Sequence, residues 1–263
     1  MTYPRVCVPK RIFPAALATA VALLACGSFD PSPASDGDAG AATSDGGSIN
    51  PQALRKCTGA NTRVDDPFAA MSPTGSGWGR DANSKVRIDE AGLPGPSLLA
   101  ETRALASSET EENVITRTVS FAGDKTLCIE LDVFLEKLDA IAFEPDAYAE
   151  ILQVTMPDQN TVPNIFLEQR PEGFAITHAG KHLPLSKFEY GKWQHLTMLA
   201  PFGSTGEMSL TLGDGVEVVS VPGPIATAPS GADLNLGLST NARGGKAGAL
   251  RARIDNFRLV TSP

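Results

Sequence analysis

The chain has 263 residues, enough for one or two domains. Aromatics make up 6% and charged residues 20%, with 25 Gly and 20 Pro. Turn formers scattered among short apolar runs favour β structure over a helical bundle. The first 25 positions carry Arg5, Lys10 and Arg11 and no acid, so the remainder holds 19 basic against 30 acidic residues, a formal charge of −11. A phosphate-binding surface needs clustered Lys and Arg, and none is visible, which argues against nucleic acid as a partner.

Residues 1–26 read MTYPRVCVPKRIFPAALATAVALLAC. A basic stretch precedes an apolar run from Ile12 to Ala25. That run is too short for a bilayer span, which needs about 20 apolar residues, and it has the length of a signal-peptide core. It ends Leu23-Leu24-Ala25-Cys26, followed by Gly27. This ending resembles the bacterial lipobox, although Leu24 is bulkier than the usual residue there. The resemblance implies a diacylglycerol on the Cys26 thiol, removal of residues 1–25, and a membrane partner reached through the lipid anchor. Gly27 in place of Asp offers no inner-membrane retention signal, so the expected location is the cell envelope, at the outer membrane.

Residues 27–50 read GSFDPSPASDGDAGAATSDGGSIN, and Gly, Ser, Asp, Ala and Pro supply 20 of the 24. Such a segment cannot bury enough apolar surface to offset its ordering entropy. As a coil it spans about 27 Å on average. The expected organisation is therefore a leader at 1–25, a lipidated cysteine and flexible linker at 26–50, and one domain at 51–263.

Four cysteines are present. Cys7 is lost with the leader and Cys26 carries the lipid, which leaves Cys57 and Cys128 as an isolated pair in an exported domain. The expectation is a disulfide. On the chain-entropy view, closing a loop of about 70 residues stabilises the fold by roughly 4 kcal/mol.

Within 51–263 no helix of convincing length and period stands out. Alternating runs separated by turn residues recur instead. Strands are expected at 85–89, 97–105, 113–121, 126–136, 149–155, 164–170, 174–178, 192–200, 206–212, 216–221, 233–239 and 250–260. In Thr126–Glu136, Leu127, Ile129, Leu131, Val133 and Leu135 share one face, while Cys128, Glu130, Asp132, Phe134 and Glu136 share the other. Gly213-Asp214-Gly215 and Pro171-Glu172-Gly173 mark hairpin turns. Residues 137–148 (KLDAIAFEPDAY) read as a loop with room for one helical turn. In the last strand Leu250, Ala252 and Ile254 share one parity and Phe257 and Leu259 the other, so a bulge near Asp255-Asn256 is needed to turn all five inward.

Three motifs carry a family resemblance. Val64-Asp65-Asp66-Pro67-Phe68 followed by Gly77-Trp78 resembles the opening of concanavalin A-like (laminin-G-like) jelly-roll domains. Gly191-Lys192-Trp193-Gln194-His195-Leu196 resembles their Trp-bearing central strand, and Ile254-Asp255-Asn256-Phe257-Arg258-Leu259 their closing strand. The resemblance covers nearly all of 57–263 and implies an all-β fold of two curved antiparallel sheets. Relatives of this kind include lectins, adhesion domains, glycosidases and lyases, so the fold alone names no function. The resemblance also points to a structural calcium held by Asp255 with Asp65 or Asp66 and backbone oxygens, since calcium takes about 6–8 oxygen ligands.

Glu130-Leu131-Asp132-Val133-Phe134-Leu135-Glu136 resembles the active-site strand of laminarinase-like glycosidases, which makes Glu130 and Asp132 the catalytic candidates. The second Glu comes too late. At about 3.3 Å per residue, Glu130 and Glu136 lie about 20 Å apart, whereas a retaining pair needs about 5.5 Å and an inverting pair under about 10 Å. Among aromatics, Trp78 and Trp193 fall in motifs that suggest packing roles, and Tyr148 and Tyr190 in loops are the ligand-binding candidates. His178 and His182 flank a turn without a third ligand at zinc spacing. The function expected from these residues is a surface-anchored, non-catalytic recognition domain for glycan or another extracellular polymer. The alternatives are a glycoside hydrolase or polysaccharide lyase of the same fold, or a purely structural envelope lipoprotein.

Overall fold

The computed structural model describes residues 57–58, 61–69, 77–90, 95–121, 123–156, 164–178, 180–202, 207–221 and 229–263. The expected leader, Cys26 and the linker lie outside the described residues. Among the described residues there are fifteen strands and no helix. They form a two-sheet antiparallel sandwich, as the alternating pattern predicts, with the jelly-roll architecture that the family resemblance implies.

The first sheet has eight strands. In spatial order these are β13 (Glu217–Val221), β12 (Met208–Leu212), β11 (Trp193–Pro201), β6 (Thr126–Lys137), β15 (Leu250–Ser262), β4 (Ser97–Thr102) and β3 (Arg87–Asp89). β1 (Asn61–Asp66) joins the far half of β15. The second sheet has seven strands: β10 (Lys181–Pro184), β9 (Gly173–His178), β8 (Ile165–Arg170), β7 (Ala147–Thr155), β14 (Gly231–Ala242), β5 (Thr110–Ser120) and β2 (Gly79–Arg80). β1, β2 and β10 were not among the expected strands. They are short or end on an edge, where alternation over a few residues leaves little signal.

The period-2 pattern sets the core. Leu127, Ile129, Leu131, Val133 and Leu135 of β6 are fully buried against Leu152, Val154, Leu167, Ile176, Leu234 and Leu236 of the opposite sheet within one apolar cluster. Aromatic contacts close the ends. Phe174 stacks on Phe188 at 4.2 Å, and Trp78 meets Phe257 edge-on at 5.5 Å. Trp78 is buried, in keeping with a packing role.

β15 contains the expected bulge. Its pairing with β6 runs Asp255↔Asp132 and then Arg258↔Glu130, one residue more on β15 than on β6. Asn256 takes up the excess with φ 50, a conformation Asn tolerates better than most residues. The Asp255 carboxylate accepts the Asn256 N–H at 2.7 Å. Leu250, Ala252, Ile254, Phe257 and Leu259 are all fully buried as a result.

The segment between β6 and β7 differs from expectation. It contains no helical turn; residues 138–144 are irregular and Pro145-Asp146 form a turn. Asp139 accepts backbone N–H groups of Ile141 and Ala249 at 3.0 Å each, and the Glu144 side chain accepts that of Lys246 at 3.0 Å. The bonds to Ala249 and Lys246 tie the segment to the β14–β15 loop, while that to Ile141 closes a local turn, in place of i→i−4 bonds.

Cys57 and Cys128 form the expected disulfide, with Cα atoms 5.7 Å apart and a sequence separation of 71. The bond fastens the start of the domain to β6. Replacing both cysteines by Ser is expected to lower unfolding free energy by about 2–4 kcal/mol, measured by urea titration with far-UV circular dichroism. Unchanged stability would show that the loop closure contributes nothing.

Candidate functional site

The outer face of β6 carries the residues that the glycosidase-like motif singles out. Glu130 is 1% exposed. It accepts the backbone N–H of Cys57 at 2.5 Å and faces Arg258 at 3.6 Å, and Arg258 donates to the Cys57 carbonyl at 2.9 Å. Glu130 and Arg258 thus clamp the backbone of the disulfide-bonded Cys57. Asp132, 6% exposed, meets His195 Nδ1 at 2.8 Å and accepts from Asn256 Nδ2 at 2.7 Å. The Thr197 hydroxyl lies 3.3 Å from His195 Nε2. Asp132 therefore joins β11 to the bulge of β15. Glu136, six positions on from Glu130, pairs with Arg251 at 2.9 Å near the other end of the strand. Phe134 lies between them, against Trp193 and Arg253.

The residues implied for calcium are spread over the same end of the sheet. Asp66 accepts the Phe68 N–H at 2.8 Å and the Trp78 Nε1–H at 3.0 Å, one with each carboxylate oxygen. Asp65 lies opposite Arg258 in the β1–β15 ladder, and Asp255 sits in the bulge. Among the described residues no group of three or more His, Cys, Asp or Glu side chains converges as a metal site. His178 and His182 point to opposite faces of their hairpin. His178 is buried with Phe174 and Ile176, and burial lowers its pKa, while His182 bonds the Thr177 hydroxyl.

The second sheet presents a different kind of outer face. Alternation in β7 turns Tyr148, Glu150 and Gln153 outward, and in β8 it turns Phe166, Glu168 and Arg170 outward. The register sets Glu150 directly opposite Glu168. Like charges placed so in a sheet repel, so the pairing has to be compensated. Glu168, 1% exposed, accepts from Arg170 Nε at 2.7 Å and from the Thr177 hydroxyl, with His182 Nδ1 at 3.4 Å. Glu150 has no such set of donors. Burial, and then the charge of Glu168, raise its pKa from 4.5 to about 7 against the pull of Arg170.

Tyr148 borders this pair. Burial, and then Glu150, raise the pKa of its phenol, and the Arg170 guanidinium lies 4.7 Å from its ring centroid. Asp146, Tyr148, Arg170, Arg243 and Gly244 line a cavity of about 450 Å³. Its rim is two loops held together by backbone and side-chain bonds between Glu144 and Lys246. A Cβ on Gly245 would fall 2.7 Å from the Pro145 carbonyl, so only glycine lets these loops approach as they do. Further along β7, the Gln153 side-chain carbonyl accepts from Asn235 Nδ2 at 2.8 Å.

Tyr190, the other aromatic candidate, lies elsewhere. Its ring meets Phe188 edge-on at 5.6 Å and Lys137 lies 4.2 Å from its centroid. Its hydroxyl donates to Gln169, which faces the interior side of β8. The structure thus brings Tyr148 together with Asp146, Glu150, Glu168, Arg170 and Arg243, none of which belongs to a motif in the sequence. The strands at 149–155 and 164–170 are legible in the sequence; the pairing of Glu150 with Glu168 depends on the register between them.

A raised carboxyl pKa has a definite consequence for stability. The folded state keeps the Glu150 proton that the unfolded chain loses near 4.5, so this contribution is complete below 4.5 and disappears as pH rises through about 7. The difference in unfolding free energy between the protein and its Glu150→Gln variant should change over that window by at most about 3 kcal/mol, less whatever water screens. Urea titrations at a series of pH values measure it. A difference that stays flat would show that Glu150 ionises normally.

No protein-family model matches the chain, and no curated protein matches it significantly. Among solved structures it is similar to the cellulose-induced protein Cip1, at 13% identity over 75% of this chain and 96% of that one, with a TM-score of 0.49. It is similar to an endo-β-1,4-glucuronan lyase from the fungus Trichoderma reesei, at 13% identity over 78% and 96%, with a TM-score of 0.47. It is also similar to a Lotus tetragonolobus seed lectin, at 10% identity over 69% and 94%, with a TM-score of 0.44. At such identities the likeness says nothing of activity or ligand.

Proposed function

We propose that this protein is an exported lipoprotein, anchored through Cys26 in the cell envelope at the outer membrane, whose sandwich binds a glycan or another extracellular polymer without cleaving it. The observation that carries the binding reading is the Tyr148 cavity. It gathers a half-buried phenol, two guanidinium groups and a carboxylate on the outer face of a sheet. A polyhydroxyl ligand is held by fixed donors and acceptors that the protein has not already satisfied. Asp146 supplies acceptors, Arg243 donors, and Tyr148 both.

Glu130 and Asp132 are buried in bonds that hold Cys57, His195 and Asn256, which supports a structural role for both. A hydrolase of the same fold is the second reading, and one observation favours it: Glu150 keeps a proton near neutrality, as a general acid must. Glycoside hydrolysis needs a second carboxylate across the scissile bond. Glu168 is enclosed by Arg170, Thr177 and His182, which leaves it poorly placed to attack.

The test is retention of the purified mature protein on columns of β-glucan, agar-type and pectin-type polymers, with release of reducing ends and unsaturated products followed in parallel. Retention without product is expected, and Tyr148→Ala should weaken it roughly tenfold. Turnover that vanishes in Glu150→Gln would replace the binding reading with the hydrolytic one. Neither retention nor turnover would leave a structural envelope role.

The anchor is tested separately. Cys26→Ser is expected to move the protein from the membrane fraction to the soluble fraction, because more than one acyl chain is needed for durable attachment. Wild-type cells that incorporate no radioactive fatty acid into the protein would overturn the lipoprotein assignment.

A further inference from the structure

The charges around Tyr148 are unevenly spent. Arg170 commits its Nε to Glu168 and lays its guanidinium along the Tyr148 ring. Its two terminal nitrogens make no hydrogen bond among the described residues. Arg243 is exposed, and only its backbone N–H is bonded, to Asn241 at 3.1 Å. Among the described residues its guanidinium has no hydrogen bond or ion pair. Asp146 lines the same cavity, also without a hydrogen bond or ion pair among the described residues, and so pairs with neither arginine. Several arginines elsewhere in the domain are ion-paired: Arg251 bridges Glu101 and Glu136, Arg253 binds Asp89, and Arg103 binds Glu109.

We infer that the Tyr148 cavity takes a uronic acid residue of an acidic glycan, with Arg170 and Arg243 receiving its carboxylate and Asp146 its ring hydroxyls. This rests on the polymer-binding reading above and names the ligand class of that same site. A guanidinium presents parallel N–H donors that match the two oxygens of a planar carboxylate. Glu168 offsets Arg170 and Asp146 offsets Arg243, so the cavity is close to neutral, and what it offers a carboxylate is guanidinium donors left unbonded rather than an excess of positive charge. An acceptor carboxylate in the same cavity disfavours a densely sulfated chain and suits a sugar, whose hydroxyls donate. A uronate offers both, a carboxylate on one ring carbon and hydroxyls on its neighbours.

The experiment compares one polymer in two forms. Polygalacturonate oligomers, and the same oligomers with carboxyls reduced to primary alcohols, are titrated calorimetrically into the mature protein. A neutral β-glucan and dextran sulfate serve as further ligands. The expected result is binding of the uronate at least roughly tenfold tighter than of its reduced form. Arg243→Ala should remove that preference, and Arg243→Lys should restore part of it. Arg243 is exposed and bonded only through its backbone, so its removal should leave the melting temperature unchanged, which separates loss of recognition from loss of fold.

Equal affinity for the uronate and its reduced form would overturn the inference, as would a preference that survives Arg243→Ala. In both cases polymer binding sensitive to Tyr148→Ala would still stand. Dextran sulfate bound as tightly as the uronate would overturn the carboxylate assignment in favour of simple charge attraction. Binding of none of the four ligands would overturn the inference and count against polymer recognition.

Discussion

The pairing of β15 with β6 is the constraint on which the eight-stranded sheet depends. Both strands run through its middle, and each must turn an unbroken apolar face to the second sheet. β6 alternates strictly, but β15 changes parity partway. The added residue at Asn256 reconciles the two, because shifting a strand by one position exchanges its buried and exposed faces. The same bulge places the Asn256 amide on Asp132, which holds His195 of β11. Three neighbouring strands are therefore locked by one carboxylate, beside the Glu130–Arg258 clamp on the disulfide-bonded Cys57.

That arrangement gives Glu130 and Asp132, on a strand resembling a glycosidase active site, partners within the fold. A buried carboxylate is costly unless its oxygens are hydrogen-bonded. Asp132 meets that condition on both oxygens and Glu130 on Oε1, with the Arg258 charge 3.6 Å from its Oε2, so both are engaged within the protein. The resemblance lies in residue order, whereas chemistry depends on which groups the fold leaves unsatisfied.

The opposite sheet shows the converse. Placing Glu150 across from Glu168 raises the free energy of the folded state, and the fold offsets it unequally. Glu168 receives Arg170, Thr177 and His182, while Glu150 retains a proton. Perturbed groups of this kind gather where a protein binds or reacts. Here they border a cavity in which Arg170 holds Glu168, while the Arg243 guanidinium and the Asp146 carboxylate make no hydrogen bond or ion pair among the described residues.

What the sequence determined by itself is periodic or local. Alternation gave the strands and the inward face of β6, the change of parity in β15 required a bulge, and an isolated cysteine pair implied the disulfide. Each rests on spacing along one segment of chain. The tertiary structure decided what depends on register between segments. Glu150 and Glu168 are 18 positions apart and meet only because β7 and β8 pair at that offset. Arg243 reaches Tyr148 from a loop nearly 100 positions away, across a junction that needs glycine at 245. Tyr148 and Tyr190 looked equivalent as loop aromatics, yet one lines this cavity and the other bonds Gln169 on the interior side of β8. A polar side chain on a strand shows its face by parity, but its partners are chosen by the neighbouring strand, and no spacing within its own segment encodes them.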